Sequence, residues 1–125
     1  MGVRVEAYDG GQLVVTAPLA LNHNHLGTAF GGSLSAIATV AGYALLWLEL
    51  GDSKCHVVVR ESTISYRRPV RGVIRAICRR PDEAAMADFK ASFAMKGKAR
   101  IRLAVTIEEN NEAAVDFEGT YVAMK

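Results

Sequence analysis

Residues Asn24 to Leu50 read NHLGTAFGGSLSAIATVAGYALLWLEL. A loop of Asn, His and Gly runs into a long segment that is almost wholly apolar, and the junction is a glycine pair, Gly31-Gly32. The pattern predicts a helix from about Gly31 to Leu50, stopped by Gly51. Leu34, Ile37, Ala38, Ala41, Leu45 and Leu48 recur at helical spacing, but the other faces carry Ala, Gly, Val and Tyr instead of Lys and Glu. A helix that is apolar nearly all round has to be surrounded. In a chain of 125 residues a curved sheet must do that, with or without the help of a second copy. A membrane span is rejected, because the segment carries Ser33, Ser35, Thr39, Gly42 and Glu49 and its unbroken apolar run, Val40 to Leu48, is too short.

Outward from this helix the chain reads as strands. Val3 to Tyr8 and Leu13 to Ala17 flank a turn at Asp9-Gly10-Gly11. The β-branched stretch His56 to Arg68 ends at Pro69, and Gly72 to Arg80 supplies another strand. Ile101, Leu103, Val105 and Ile107 alternate with Arg100, Arg102, Thr106 and Glu108, the mark of a half-buried strand. Asn110-Asn111 is the turn before a last strand, Ala114 to Ala123. Pro81 to Met95 reads as a second, amphipathic helix closed by Gly97. The expected architecture is α+β, one domain over residues 1–125 with a single core.

Composition narrows the class. Hydrophobic residues make up 50% and charged residues 22%, as in folded soluble domains. No basic segment precedes an apolar run at the start, so no signal peptide is expected. Cys55 and Cys78 lack CxxC spacing and read as buried reduced thiols, which points to the cytoplasm. The net charge of +2 conceals an asymmetry: Lys54, Arg60, Arg67, Arg68, Arg71, Arg75, Arg79 and Arg80 stand against one acid, Glu61. That strip is either a solvated sheet face or a surface for an anionic partner. Only Tyr66 interleaves with it, so nucleic acid is a poor fit. His23 and His25 lack a third ligand at recognisable spacing, and no metal is expected. No Gly-x-Ser-x-Gly elbow or Cys–His pair announces a covalent nucleophile.

The order strand, strand, long helix, strand, strand, short helix, strand, strand resembles the hotdog fold, an antiparallel curved sheet wrapped around a long central helix. Here an extra short helix lies between the middle strands. Small acyl-CoA thioesterases of that superfamily carry Asn-x-x-Gly-Thr-x-His-Gly-Gly before the helix. The chain has Asn24-His25-Leu26-Gly27-Thr28-Ala29-Phe30-Gly31-Gly32. AFGGSLSAIATVAG, ISYRRPV and KGKARIRLAV are similar to the thioesterase domain at the C-terminus of YiiD-type acetyltransferases, over essentially the whole chain. With no acetyltransferase segment in these residues, a free-standing version is expected.

The resemblance implies an acyl-thioester hydrolase acting on acyl-CoA or acyl carrier protein, with no cofactor beyond coenzyme A as part of the substrate. A homodimer is expected as the minimum unit, because the His56 to Arg68 strand and the all-round apolar helix need more cover than one chain offers, further pairing into a tetramer being left open. The first amides of a helix have no intrahelical acceptor, and the dipole adds partial positive charge there. Gly31 and Gly32 would let a thioester carbonyl approach them as an oxyanion hole, or else merely permit close packing. In the related thioesterases a carboxylate on the central helix activates water. That position falls on Thr39, and the motif histidine on Phe30. Threonine is no general base near neutral pH.

Asn24 is a candidate to orient water or the carbonyl, or else to cap its loop. Glu61 lies on a strand that runs along the interface in hotdog dimers. It is a candidate base acting on the partner, or else a surface carboxylate paired with Arg60 or Arg75. Ser35 and Thr39 would position water beside the Phe30 ring. Arg67 and Arg68 would meet phosphates, bidentately. Met86, Phe89 and Phe93 form one stripe of the second helix, either packed on the sheet edge or walling an acyl pocket. The alternative to hydrolysis is a non-catalytic module that binds acyl-CoA or acyl carrier protein.

Overall fold

A computed structural model describes residues 2–51 and 55–125, so Lys54 of the basic strip lies outside the described residues. The elements are β1 (Arg4–Tyr8), β2 (Gln12–Ala17), α1 (Gly31–Leu50), β3 (His56–Tyr66), β4 (Ile74–Arg79), α2 (Glu83–Lys96), β5 (Lys98–Glu109) and β6 (Glu112–Met124). The six strands form one sheet in the order β1-β2-β4-β5-β6-β3. All neighbours run antiparallel. The sheet curves round α1, which packs against β2 through β6; this is the hotdog arrangement.

Alternation sorts the strands into two faces. On β5, Ala99, Ile101, Leu103, Val105 and Ile107 are buried, and the residues between them face outward. Their partners on β6 put Val115, Phe117, Gly119, Tyr121 and Ala123 on the same inner face. From α1, Leu34, Ile37, Ala38, Ala41, Gly42, Leu45 and Leu46 fill the concavity. Each large side chain fully withdrawn from water there contributes ~1.5–3 kcal/mol. Tyr121 reaches up from β6, and its hydroxyl donates to the Thr39 carbonyl at 2.8 Å. A Cβ at residue 42 would lie 2.3 Å from that hydroxyl oxygen, so α1 needs glycine there.

The opposite side of α1 stays apolar and uncovered. Tyr43 and Trp47, one helical turn apart, are 42% and 44% exposed. By length and composition α1 could cross a membrane; in the structure its other face is packed into the sheet.

α1 closes at Gly51, whose φ of 62° is left-handed and whose amide bonds the Trp47 carbonyl. Asp82 caps α2 by accepting from the Ala85 amide at 2.8 Å, and Gly97 ends it at φ 69°. α2 follows the part of β5 that β4 leaves free, since β4 pairs only Ala76–Cys78 with Val105–Ile107. Met86, Phe89 and Phe93 are buried there and join the common core. Both cysteines are buried, and burial pushes the Cys78 thiol up to about 12. At the far end of α1, Glu49 accepts from Arg80 at 3.1 Å and Lys90 at 3.1 Å, and Tyr8 also donates to it. These contacts tie α1 to β1, α2 and the end of β4.

Candidate active site

The first turn of α1 joins a glycine pair to a helix start with no side-chain cap. Phe30 holds the N-cap position in extended backbone (φ −67°, ψ 132°) and offers no capping oxygen. The first intrahelical bond runs from the Leu34 amide to the Phe30 carbonyl at 3.0 Å. The amides of Gly31 and Gly32 are thus at the open, positive end of a twenty-residue helix.

Two aromatic rings flank them. The Phe30 ring folds over Gly32, where a Cβ would sit 2.4 Å from a ring carbon. The Tyr66 ring stands beside Gly31, 3.6 Å from where a Cβ would be, an ordinary contact. The Tyr66 hydroxyl donates to the Gly31 carbonyl at 3.1 Å. Close aromatic cover thus gives Gly32 a steric reason, whereas a side chain at 31 would meet Tyr66 only at ordinary contact distance.

The loop before the helix is tightly organised. Asn24 accepts from the amides of Leu26 (2.8 Å) and Thr28 (3.2 Å), and its Nδ2 donates to Thr28 Oγ1 at 2.8 Å. Its observed contacts are those of a loop-shaping residue. The Phe30 amide bonds the Asn22 carbonyl, and the Ala29 amide bonds the Val70 carbonyl at 2.8 Å. The segment after β3 is thereby tethered twice to the start of α1, by Tyr66 and by Val70. Arg67 and Arg68 lie between those tethers, but each is engaged. Arg67 pairs with Asp116 at 2.6 Å and Arg68 pairs with Glu112.

Below Gly31 on the same side of α1 come Ser35 and Thr39, at successive helical turns. Thr39 Oγ1 donates to the Ser35 carbonyl at 2.8 Å, so it faces an incoming water only as an acceptor. No carboxylate stands on this ridge, as the sequence already indicated.

Glu61 is not brought to α1 of its own chain. A bulge at Arg60 shifts the register from Val59↔Tyr121 to Glu61↔Thr120. Tyr121 faces inward, and Thr120 is on the outer face with Glu118 and Arg102. Glu61, Thr63, Arg102, Glu118 and Thr120 line one outer groove. The expected pairing of Glu61 with Arg60 or Arg75 is not formed: Arg75 pairs with Glu6 at 3.5 Å. Phe89 and Phe93 lie against β5, in the core already described. The residue that sequence reasoning missed is Tyr66. The sole signal it gave was its place in ISYRRPV; contact with a helix start 35 residues earlier has no local signature.

An antiparallel sheet wrapped on one long helix defines a hotdog-fold protein. The chain belongs to the family described as "Putative thioesterase (yiiD_Cterm)", whose model matches residues 1–125. A protein of unknown function from Chlorobaculum tepidum is 41% identical with a TM-score of 0.92; the match covers 100% of this chain and 83% of that one. A "putative thioesterase" from Shewanella oneidensis is 29% identical (TM-score 0.86, 98% of this chain and 84% of that one). A "probable thioesterase" of Pseudomonas aeruginosa is 27% identical (TM-score 0.83, 98% and 83%).

Proposed function

We propose that the chain hydrolyses an acyl thioester of coenzyme A or of acyl carrier protein, with the thioester carbonyl held at the start of α1. The observation that carries this reading is the open first turn of α1, where Gly31 and Gly32 present amides with no side-chain cap. Water adds to the carbonyl carbon, the oxygen gains negative charge, and collapse breaks the C–S bond; the sulfur takes up the proton that the water loses, so a thiol and a carboxylic acid leave. Amide donors aimed at that oxygen are worth ~3–4 kcal/mol of the barrier. Ser35 and the acceptor side of Thr39 orient the water from below, and Phe30 shields it from bulk solvent. Arg67 and Arg68, near the same end, favour a phosphate-bearing carrier once their carboxylate partners yield. Membership in a thioesterase family supports the reaction class.

The functional unit in this reading is a homodimer. The uncovered Tyr43 and Trp47 on α1, and β3 at the sheet edge with Val58 48% and Val59 40% exposed, support it. The test is purified protein with a panel of acyl-CoAs and a thiol-trapping reagent, where hydrolysis appears as free CoA. The second reading is a non-catalytic acyl-binding module. The absence of a carboxylate on the Gly31–Ser35–Thr39 ridge favours it, and binding without release of CoA would establish it.

A further inference from the structure

The outer face of the sheet carries a basic trough that the site at α1 does not use. One groove, about 530 Å³, is lined by Val58, Arg60, Lys98, Ala99, Arg100, Val122 and Met124. A second, about 400 Å³, shares Lys98, Ala99 and Arg100 with it and adds Lys96 from α2. Asp88 is the one acid among the described residues that lines either. Among the described residues, Arg60, Lys98 and Arg100 make no ion pair, unlike Arg67, Arg68, Arg75 and Arg80.

The layout is specific. In sheet order β5 lies beside β6 and β6 beside β3. Lys98 and Arg100 on β5 form one bank, Arg60 on β3 forms the other, and Val122 and Met124 of β6 are the floor between them. Two interstrand steps separate the banks by about 9.6 Å, close to the ~10–12 Å diameter of an α-helix with its side chains. A bare phosphate needs donors that converge on one point; these cations stand apart across an apolar floor. An amphipathic helix with acids along both flanks of an apolar stripe satisfies both features.

We propose that this trough docks an acidic amphipathic helix of the protein that carries the acyl chain, making the physiological substrate an acyl carrier protein thioester. The proposal rests on the thioesterase reading for its choice of partner. The trough lies at the start of β3 and Tyr66 at its end, about 26 Å along the strand for Val58 to Tyr66. Antiparallel pairing of two β3 edges brings the trough of one protomer beside the α1 start of its partner. The docked carrier then serves the partner's site.

The experiment measures binding of holo acyl carrier protein without an acyl chain, by fluorescence anisotropy, to the full chain and to Arg60→Glu/Lys98→Glu/Arg100→Glu. The neutral variant Lys98→Gln/Arg100→Gln is the control for a misfolded reversal, and melting temperature is read on each. The expected result is saturable binding that weakens with added salt. Charge reversal should weaken it at least 10-fold, and the neutral pair less, in protein that still melts cooperatively. Equal binding by the reversed and parent proteins overturns the proposal. So does a parallel loss of affinity for CoA itself, which assigns the trough to phosphates, or a drop in oligomer mass on light scattering, which assigns it to a second copy. Binding needs no turnover, so a protein that docks the carrier yet hydrolyses nothing contradicts the proposed reaction and leaves the trough standing.

Discussion

The phenol oxygen of Tyr66 donates a hydrogen bond to the carbonyl of Gly31 at 3.1 Å, across 35 residues of sequence. That carbonyl belongs to the same peptide unit as the Gly32 amide. A donor on its oxygen draws charge toward it and makes the Gly32 N–H a stronger donor to anything held in front of the helix. Tyr66 thus connects the end of β3 to the polarity of the first turn of α1.

Tyr66→Phe keeps the ring against Gly31 and removes the hydroxyl. One net hydrogen bond is worth ~1 kcal/mol, so kcat should fall about 5-fold. KM should stay close to the parent value, and the melting temperature should fall by only about 2–8 °C, the effect of ~1 kcal/mol. Steady-state kinetics and a thermal melt check this; a fall in stability with kcat unchanged would make the bond structural only.

Glu61→Gln should leave hydrolysis within about 3-fold of the parent, because Glu61 shares the outer face with Thr120 and Glu118. General acid–base groups are commonly worth ~100-fold or more. A loss of that size would restore Glu61 as a base supplied to a partner.

Phe89→Ala and Phe93→Ala each empty a site in the core between α2 and β5, the residues being 3% and 6% exposed. Each should cost ~3–5 kcal/mol of stability and leave the acyl-length preference unchanged. Denaturant unfolding and the acyl-CoA profile on the same proteins separate this from a pocket-wall role, which would shift the profile instead.

Acid should loosen the far end of α1. Burial pushes the Glu49 carboxyl up, but bonds from Arg80 and Lys90 outweigh it and hold the group below its ordinary 4.5. A carboxyl lowered by folding stabilises the protein fully above its unfolded value, and that contribution is lost as pH falls through the folded value. Melting temperature should therefore drop on acidification below about pH 4.5, and the gap between the parent and Glu49→Gln should narrow over the same range. A gap independent of pH would deny the network this role.

Much of the fold was legible because its signals are local. The apolar run and its glycine stop placed α1 at Gly31–Leu50, as found. Asn110 and Asn111, at φ 53° and 64°, make the left-handed turn their residue types favour. The site was less legible for two physical reasons. Plain alternation puts Glu61 on the same face as Val57 and Val59, but the bulge at Arg60 turns it outward, and a bulge leaves no mark in sequence. The basic strip likewise seemed unopposed because its partners arrive from other strands. Glu6, Glu112 and Asp116 neutralise Arg75, Arg68 and Arg67, while Arg60 joins cations nearly forty residues away on β5. Asn24 gave both of its possible roles in sequence, and its three contacts in the structure are made within its loop.

The central claim is that the amides at the start of α1 hold the thioester oxygen. The direct measurement is acyl-CoA hydrolysis by Gly31→Val beside Gly31→Ala, with melting temperature taken on both. A Cβ at residue 31 meets Tyr66 only at ordinary contact distance, so Gly31→Ala should fold, and the melt identifies folded Gly31→Val, whose γ carbons reach further toward that ring. Turnover should be lost in Gly31→Val, whose branched side chain blocks carbonyl approach, and Gly31→Ala should show an intermediate rate. Parent-like hydrolysis by folded Gly31→Val would contradict it.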